Sequence, residues 1–476
     1  LANRVKTGIA GLDEVIEGGF PKGSLILLAG NPGTGKTVFS AQFLAEGVKL
    51  GEDGVYVSFA EGKEALLENM SRLLGVDFKR FEAEGRLKVL DYAAMKEAAV
   101  SSILEGVLRG VQAVEAKRLV VDSYSALAQA FLNPHEARIV LNTVLGKIVR
   151  QMGCATLLIV EVPYGERRIG LGVEEFVADG VLSLRVKELD QRMFRELEVM
   201  KLRGARLVEQ KLIFTLEGGF KAFPPFKPWL IEKPSRFQPI PDPPNRYSTG
   251  SRDLDKLLGG GFSKGDAVLL EMTEKVSMAE YHLILVPIML NFIVQGRPVL
   301  LIPSPGVDGE KARRVGLSYG LTEEEVNRLL RVCEPRGLKE CEGKPYVVFF
   351  DAKDPWEDYS KYMRLQEELR QATGQPIISV TSVNTLANYY DEPVCEKILG
   401  QDAVRIRKLE DLGIILIKPG LGRLTVRLSS IATTHLKLMR EHGCLLLYGV
   451  KPRTSLYAVE VDVSKGYPMP NLTPIV

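Results

Sequence analysis

The chain has 476 residues, 45% apolar and 26% charged, the balance of an ordinary folded globular protein, and its length predicts two domains. Its 62 basic residues face 60 acidic ones for a formal net charge of +2, so net charge does not indicate a nucleic-acid partner and leaves only a local patch open. Five cysteines (Cys154, Cys333, Cys341, Cys395, Cys444) form no CxxC pair, which argues against structural zinc and fits a reducing cytoplasm. Leu1 to Lys6 carries no signal-peptide core. The apolar stretch near Ile284 to Val294 is broken by Pro287 and Asn291 and is too short to span a bilayer, so a cytoplasmic protein without a membrane partner is expected.

In chain order, Thr7-Gly8-Ile9-Ala10-Gly11-Leu12-Asp13 leads into a short amphipathic segment, and Gly18 to Gly23 turns the chain into an apolar strand, Ser24 to Ala29. Gly30-Asn31-Pro32-Gly33-Thr34-Gly35-Lys36-Thr37 follows, and then a helical pattern from Val38 to Leu44. Strand, glycine-rich turn and helix are the context of a Walker A phosphate loop. Glycines allow the tight turn that aims successive amides at phosphate oxygens, and the helix start favours the anion. Lys36 reaches the β- and γ-phosphates of ATP, Thr37 offers a hydroxyl to Mg²⁺, and Val38 closes the nucleotide contact.

Val55 to Phe59 is a second strand, with Glu61 just past its end, where it can orient or deprotonate water. A helix over Glu64 to Leu74, a strand over Leu87 to Asp91 and a helix over Ala99 to Val114 come next. Arg118 to Ser123 is the Walker B strand, with Asp122 emerging at its carboxyl end to serve Mg²⁺. Glu136 to Gln151 reads as a helix, and Thr156 to Glu161 as a strand whose Glu161 can sense the γ-phosphate. Later strands fall at Val181 to Val186, Arg195 to Met200 and Gln210 to Leu216. Lys201-Leu202-Arg203-Gly204 sets two cations beside a glycine turn, which spacing alone makes a solvated hairpin loop.

The Thr7 to Asp13 phrase, Gly18 to Gly23, the phosphate loop, Leu119 to Ser123 and Gly172 to Gly180 together resemble the KaiC-like branch of the RecA-type ATPases, over roughly Val5 to Phe220. The resemblance implies a twisted sheet flanked by helices, ATP held between adjacent subunits, and a hexameric ring. It also implies that Arg195, Lys201 and Arg203 reach a neighbouring subunit's phosphates and offset charge in the transition state. The family carries two adjacent glutamates after the second strand, whereas this chain has Ala60-Glu61, which predicts slow hydrolysis and leaves binding intact.

Phe223 to Pro228 opens a proline-rich stretch through Pro244 that reads as a stiff linker. Then the opening repeats: Thr249 to Leu258 echoes the segment from Thr7, Gly260 to Gly265 echoes Gly18 to Gly23, and Ala267 to Leu270 echoes the strand before the phosphate loop. At the same offset, Met278 stands for Lys36, Ala279 for Thr37, and Met272, Lys275 and Ser277 for the three loop glycines. Tight nucleotide binding there is not expected. Thr322 to Glu325 spells a capping box, and Thr381 stands in the place of Asp122. His135, His282, His435 and His442 form no ligand set, and Phe349-Phe350 and Tyr389-Tyr390 read as packing residues.

The expectation is an α/β chain of tandem RecA-like P-loop domains, each a mostly parallel twisted sheet flanked by helices. Residues 1–222 form the ATPase domain, 223–246 the linker and 247–476 a degenerate second domain open to an unidentified protein partner. The expected activity is slow, Mg²⁺-dependent ATP hydrolysis at one site per chain, with a regulatory or signalling output. A DNA-handling recombinase or helicase relative would need a basic inner-ring loop that the sequence does not show clearly, and a non-hydrolysing ATP-dependent scaffold is the other alternative.

Overall fold

Leu25 to Gly30 (β1) contains no polar side chain, and a strand of that composition is stable only when both faces are covered. The computed structural model, which describes residues 4–93, 100–128, 151–166, 169, 174–335 and 343–476, buries all of β1. The helix expected over 136–151 lies outside the described residues apart from Gln151, as do His135, Gly172, Val173 and Cys341. The chain forms two units: Leu1–Pro225 with His442–Cys444 and Pro474–Val476, and Phe226–Glu441 with Leu445–Thr473.

In the first unit the elements after β1 are Lys36–Leu50 (α1), Gly54–Ser58 (β2), Lys63–Leu74 (α2), Leu87–Asp91 (β3), Val100–Ala113 (α3), Arg118–Asp122 (β4) and Ala155–Glu161 (β5). Gly180–Leu189 (β6), Arg192–Leu202 (β7), Lys211–Thr215 (β8) and Lys221–Phe223 (β9) complete a nine-stranded sheet of order β9-β8-β7-β6-β1-β5-β4-β2-β3. β1 to β6 run parallel, and β7 to β9 are added antiparallel at one edge. The period of two along β1 divides its side chains between two cores. Ile26 and Leu28 pack with Phe39 and Phe43 of α1 and Leu66 of α2, while Leu25, Leu27 and Ala29 pack with Ile103 and Val107 of α3.

Arg118, the first residue of β4, is fully buried. Its guanidinium donates to Glu52 at 2.9 and 2.6 Å and to the carbonyls of Lys6 and Phe43 at 2.8 and 2.6 Å, and it lies over the Phe43 ring. Burial pulls its pKa down and Glu52 opposes that, so it stays charged by spending its donors on fixed acceptors.

In the second unit Ala267–Met272 (β10) leads to Met278–Val294 (α4), then Val299–Ile302 (β11), Gly309–Ser318 (α5), Leu330–Pro335 (β12), Val347–Phe350 (β13), Pro355–Thr373 (α6) and Ile378–Ser382 (β14). Glu392–Leu409 (α7), Leu412–Ile417 (β15), Gly422–Ile431 (α8), Thr434–Glu441 (β16), Cys444–Lys451 (β17), Tyr457–Asp462 (β18) and Met469–Pro474 (β19) follow. The ten-stranded order is β13-β12-β11-β14-β15-β10-β16-β17-β18-β19, parallel from β13 through β16. Each unit is thus a large mixed, mostly parallel sheet flanked by helices, the arrangement of tandem RecA-like domains. The apolar stretch near Ile284 to Val294 lies in α4, buried on nearly all sides. Its one fully buried amide, Asn291, binds both backbone groups of Ile240 and the Ser248 carbonyl, which holds the proline-rich segment against the second unit. Phe237 of that segment is buried in the second unit's core. Among the described residues no helix is long and apolar enough to cross a membrane.

The repeated phrases do the same work twice. Thr7 donates from its amide and its hydroxyl to Asp13 at 3.0 and 2.7 Å, and Thr249 makes the same pair of bonds to Asp255, both at 2.7 Å. Thr322 and Glu325 form the capping box that their spacing predicts.

Arg118→Met keeps the bulk of the side chain but leaves the Lys6 and Phe43 carbonyls without their donor. A loss of about 2 kcal/mol or more is expected, measured as an earlier denaturant midpoint of the transition reported by the first unit.

Candidate nucleotide site

At the carboxyl edge of the first sheet, β1 delivers the loop Asn31 to Gly35 directly onto α1. Gly33 and Gly35 hold φ of 76° and 99°, the left-handed region that glycine adopts without strain. A Cβ at Gly30 would come within 2.6 Å of Thr34 Oγ1 and 2.8 Å of the Leu184 carbonyl, so only glycine lets the loop lie that close to β6. Thr34 Oγ1 donates to the Asn31 carbonyl at 2.8 Å. Asn31 donates in turn to the carbonyls of Val162 and Pro163 at 2.8 and 3.1 Å, pinning the loop to the segment after β5.

Lys36 curls back over this loop and donates to the carbonyls of Gly30 and Asn31 at 2.8 and 2.9 Å. Burial lowers its pKa, and Glu161 and Asp122 offset part of that. Asp122 ends β4 and accepts from the hydroxyl of Tyr56 on β2. Burial raises the Asp122 pKa; Tyr56 and Lys36 lower it, while Glu161 and Glu61 raise it again. Lys36, Asp122, Glu161 and Glu61 therefore share one electrostatic neighbourhood, although they come from four separate stretches of sequence. The hydroxyl of Thr37 and the carboxylate of Asp122 are hard oxygen donors, the chemistry that suits Mg²⁺.

Glu61 lies in the bend after β2, where its Oε2 accepts from Asn69 at 3.1 Å. Arg195 on β7 donates to the Gly33 carbonyl at 3.1 Å and to the Val476 carbonyl at 2.5 Å. Lys201 donates to the Ala178 carbonyl at 2.8 Å, and Arg203 pairs with Asp179 at 3.4 Å, so both rest on the segment entering β6. Tyr56 and Tyr164 are two site residues that the motif reading passed over. Tyr164 is exposed and donates to the Pro32 carbonyl at 3.0 Å. A tyrosine inside the apolar strand Val55-Tyr56-Val57 is itself a signal, because its buried hydroxyl must find a partner.

The equivalent place in the second unit is built differently. Met278 opens α4 as Lys36 opens α1, but Ser277 Oγ accepts the Glu280 amide at 3.4 Å and Glu280 accepts the Ser277 amide at 2.6 Å. A carboxylate from the chain itself thus closes this helix start, whereas no side chain caps α1, whose N-cap is Gly35. The Ser-x-x-Glu spacing was a legible signal of that closure. Past β14, Ser382 accepts from the Thr385 amide as Ser123 does from Ala126, so Thr381 precedes its cap as Asp122 precedes Ser123. His435 is buried between Ser429 and Glu271, at 3.0 Å from each.

Asn31→Ala removes both ties between the phosphate loop and the segment after β5 while keeping Lys36. ATP affinity is expected to fall about tenfold, the worth of one to two hydrogen bonds, in calorimetric titration with unchanged stoichiometry.

A family profile described as KaiC, an ATPase, matches residues 5–220, and one described as GvpD basic region 2 matches residues 236–311. A UPF0273 protein of Pyrococcus horikoshii is 35% identical over 219 residues, covering 43% of this chain and 87% of that protein. The circadian clock oscillator protein KaiC of Synechococcus elongatus is 32% identical over 280 residues, 56% of this chain and 51% of its own length. Protein GvpD2 of Halobacterium salinarum is 27% identical over 481 residues, a match that covers 95% of this chain and 94% of that protein. The crystal structure of a KaiC-like protein of Pyrococcus horikoshii aligns with 38% identity and a TM-score of 0.42, over 46% of this chain and 99% of that one. With the KaiC profile over residues 5–220 and the UPF0273 relative matched over 87% of its length, the chain belongs to the KaiC-like family of ATPases.

Proposed function

We propose that the chain binds one Mg²⁺-ATP in its first unit, hydrolyses it slowly, and acts in the cytoplasm as a regulatory or signalling ATPase assembled into a hexameric ring. The observation that carries this reading is the contrast between the two helix starts. The first amides of α1 carry no side-chain cap and face a glycine cradle with a lysine at its edge, whereas those of α4 are closed by Ser277 and Glu280. On this reading the layout is an ATPase domain over 1–222, a proline-rich connection over 223–246 and, over 247–476, a domain that takes no nucleotide, stabilises the assembly and reads the first domain's state.

Lys36 exchanges the Gly30 and Asn31 carbonyls for the β- and γ-phosphates, and the amides from Gly33 to Val38 donate to the remaining phosphate oxygens. Thr37 and Asp122 would hold Mg²⁺, which supplies charge neutralisation to the phosphates. Tyr56 keeps Asp122 oriented. Glu61 orients the attacking water, and Asn69 restrains its carboxylate. Lys201 and Arg203, with Arg195, stabilise charge on the phosphates of the adjoining chain. A non-hydrolysing scaffold is the second reading, favoured by Ala60 and by the hold of Asn69 on Glu61.

Calorimetry of the full chain is expected to give about one tight ATP per chain, lost in Lys36→Ala; two equal tight sites would refute the contrast between the units. Turnover is expected to need a neighbour. Mixing Lys36→Ala chains with Arg203→Ala chains should restore part of the hydrolysis rate, and verified mixed rings that stay inactive would refute action between chains.

A further inference from the structure

The second unit contains a cavity of about 80 Å³ between its sheet and helices α6 and α7, room for a small organic group rather than a single water. It opens at the carboxyl ends of β12, β11 and β14, so β14 and β15 separate β11 from β10, the strand that would have led into a phosphate loop. It is therefore a different place from the degenerate nucleotide position.

Its walls combine aromatic rings with a buried carboxylate that has not spent all its acceptors. Phe350, Tyr359, Tyr362 and Tyr390 supply the rings. Glu334, near the end of β12, is buried; one of its carboxylate oxygens accepts the Gly309 amide at the start of α5, and the other, equally buried, has no hydrogen-bond partner. Asp402 on α7 is buried too, and its Oδ1 is ion-paired with Arg405 Nε at 3.6 Å. A third carboxylate, Asp358, is already engaged by the Ala352 amide and the Tyr390 hydroxyl at 2.9 and 2.7 Å. None of the described residues lining the cavity is a lysine or arginine.

A buried carboxylate oxygen without a donor is costly, and the fold does not remove that cost at Glu334. Aromatic faces attract cations, and most strongly where water is excluded. Among the described residues no group of three His, Cys, Asp or Glu is placed to hold a metal ion. The largely apolar wall asks for a ligand with a hydrocarbon body. We propose that this cavity is a binding site for a small organic ammonium ion, whose charged head meets Glu334 and whose apolar body packs among Phe350, Tyr359 and Tyr362. Burial raises the pKa of the Glu334 carboxyl, and an ammonium head would lower it. The site does not depend on nucleotide binding in the first unit, so the two readings stand or fall separately.

The test is calorimetric titration of the full chain at neutral pH with benzylammonium and with benzyl alcohol, which differ little in shape and by one charge. Benzylammonium is expected to bind at one site per chain, with the alcohol about tenfold weaker or worse. Glu334→Gln keeps an acceptor for the Gly309 amide and should weaken the ammonium about tenfold while leaving the alcohol unchanged. Should that variant fail to fold, the comparison of the two ligands on the unaltered chain still decides. Equal affinity for the two ligands would overturn the proposal in favour of an apolar cavity indifferent to charge, and absence of binding by both would overturn it outright.

Discussion

Burying the first long strand of each unit on both faces decides where the chain can turn. β1 and β10 are almost wholly apolar and lie inside their sheets, so each must leave at the carboxyl edge and return as a helix along one face. The loop between strand and helix is thereby held against a helix start, with unpaired amides and a positive dipole end. What the loop then contains decides what that end can do. Gly30, Gly33 and Gly35 leave the amides open and close to the backbone of β6, whereas Ser277 and Glu280 satisfy them from within the chain. One architectural constraint thus yields a cradle in one unit and a closed helix start in the other.

The charges of the first site follow from the same edge. Lys36, Asp122, Glu161 and Glu61 come together because parallel strands bring their carboxyl ends into register: Gly30 opposite Glu161, and Ser58 opposite Asp122. Burial disfavours the charged form of both Lys36 and Asp122, and each is the other's partial compensation. Both also hold neutral partners, backbone carbonyls for Lys36 and the Tyr56 hydroxyl for Asp122. Arg195, Lys201 and Arg203 likewise rest on carbonyls or a carboxylate of their own chain. For a cation to act on a neighbour it must give up these bonds, each worth little net against water but together a restraint.

The second unit retains the parts that build a sheet and its helices, down to the Thr249–Asp255 bonds that copy Thr7–Asp13. Its unspent polar chemistry lies elsewhere, at the ends of β11, β12 and β14, where buried carboxylates stand among rings.

Much of this was legible along the chain. Apolar runs bounded by glycine turns located the strands, the eight residues from Gly30 to Thr37 marked the turn between β1 and α1, and the repeat at Thr249 announced the second unit. These signals are local: they depend on periodicity, on turn residues and on fixed spacing within one strand, loop and helix. What only the tertiary structure decided is which distant groups share a space. Tyr56 is 66 residues from Asp122 and meets it only because β2 and β4 are adjacent in the sheet. Asn291 explains how the proline-rich segment is held, and no pattern along the chain pairs it with Ile240. Glu334, Asp402 and the rings around them belong to different strands and helices, and that one oxygen of Glu334 is left without a partner is a property of packing. Local sequence determines which elements form and where they turn; burial, pairing and charge balance between elements are settled only when the sheet brings them together.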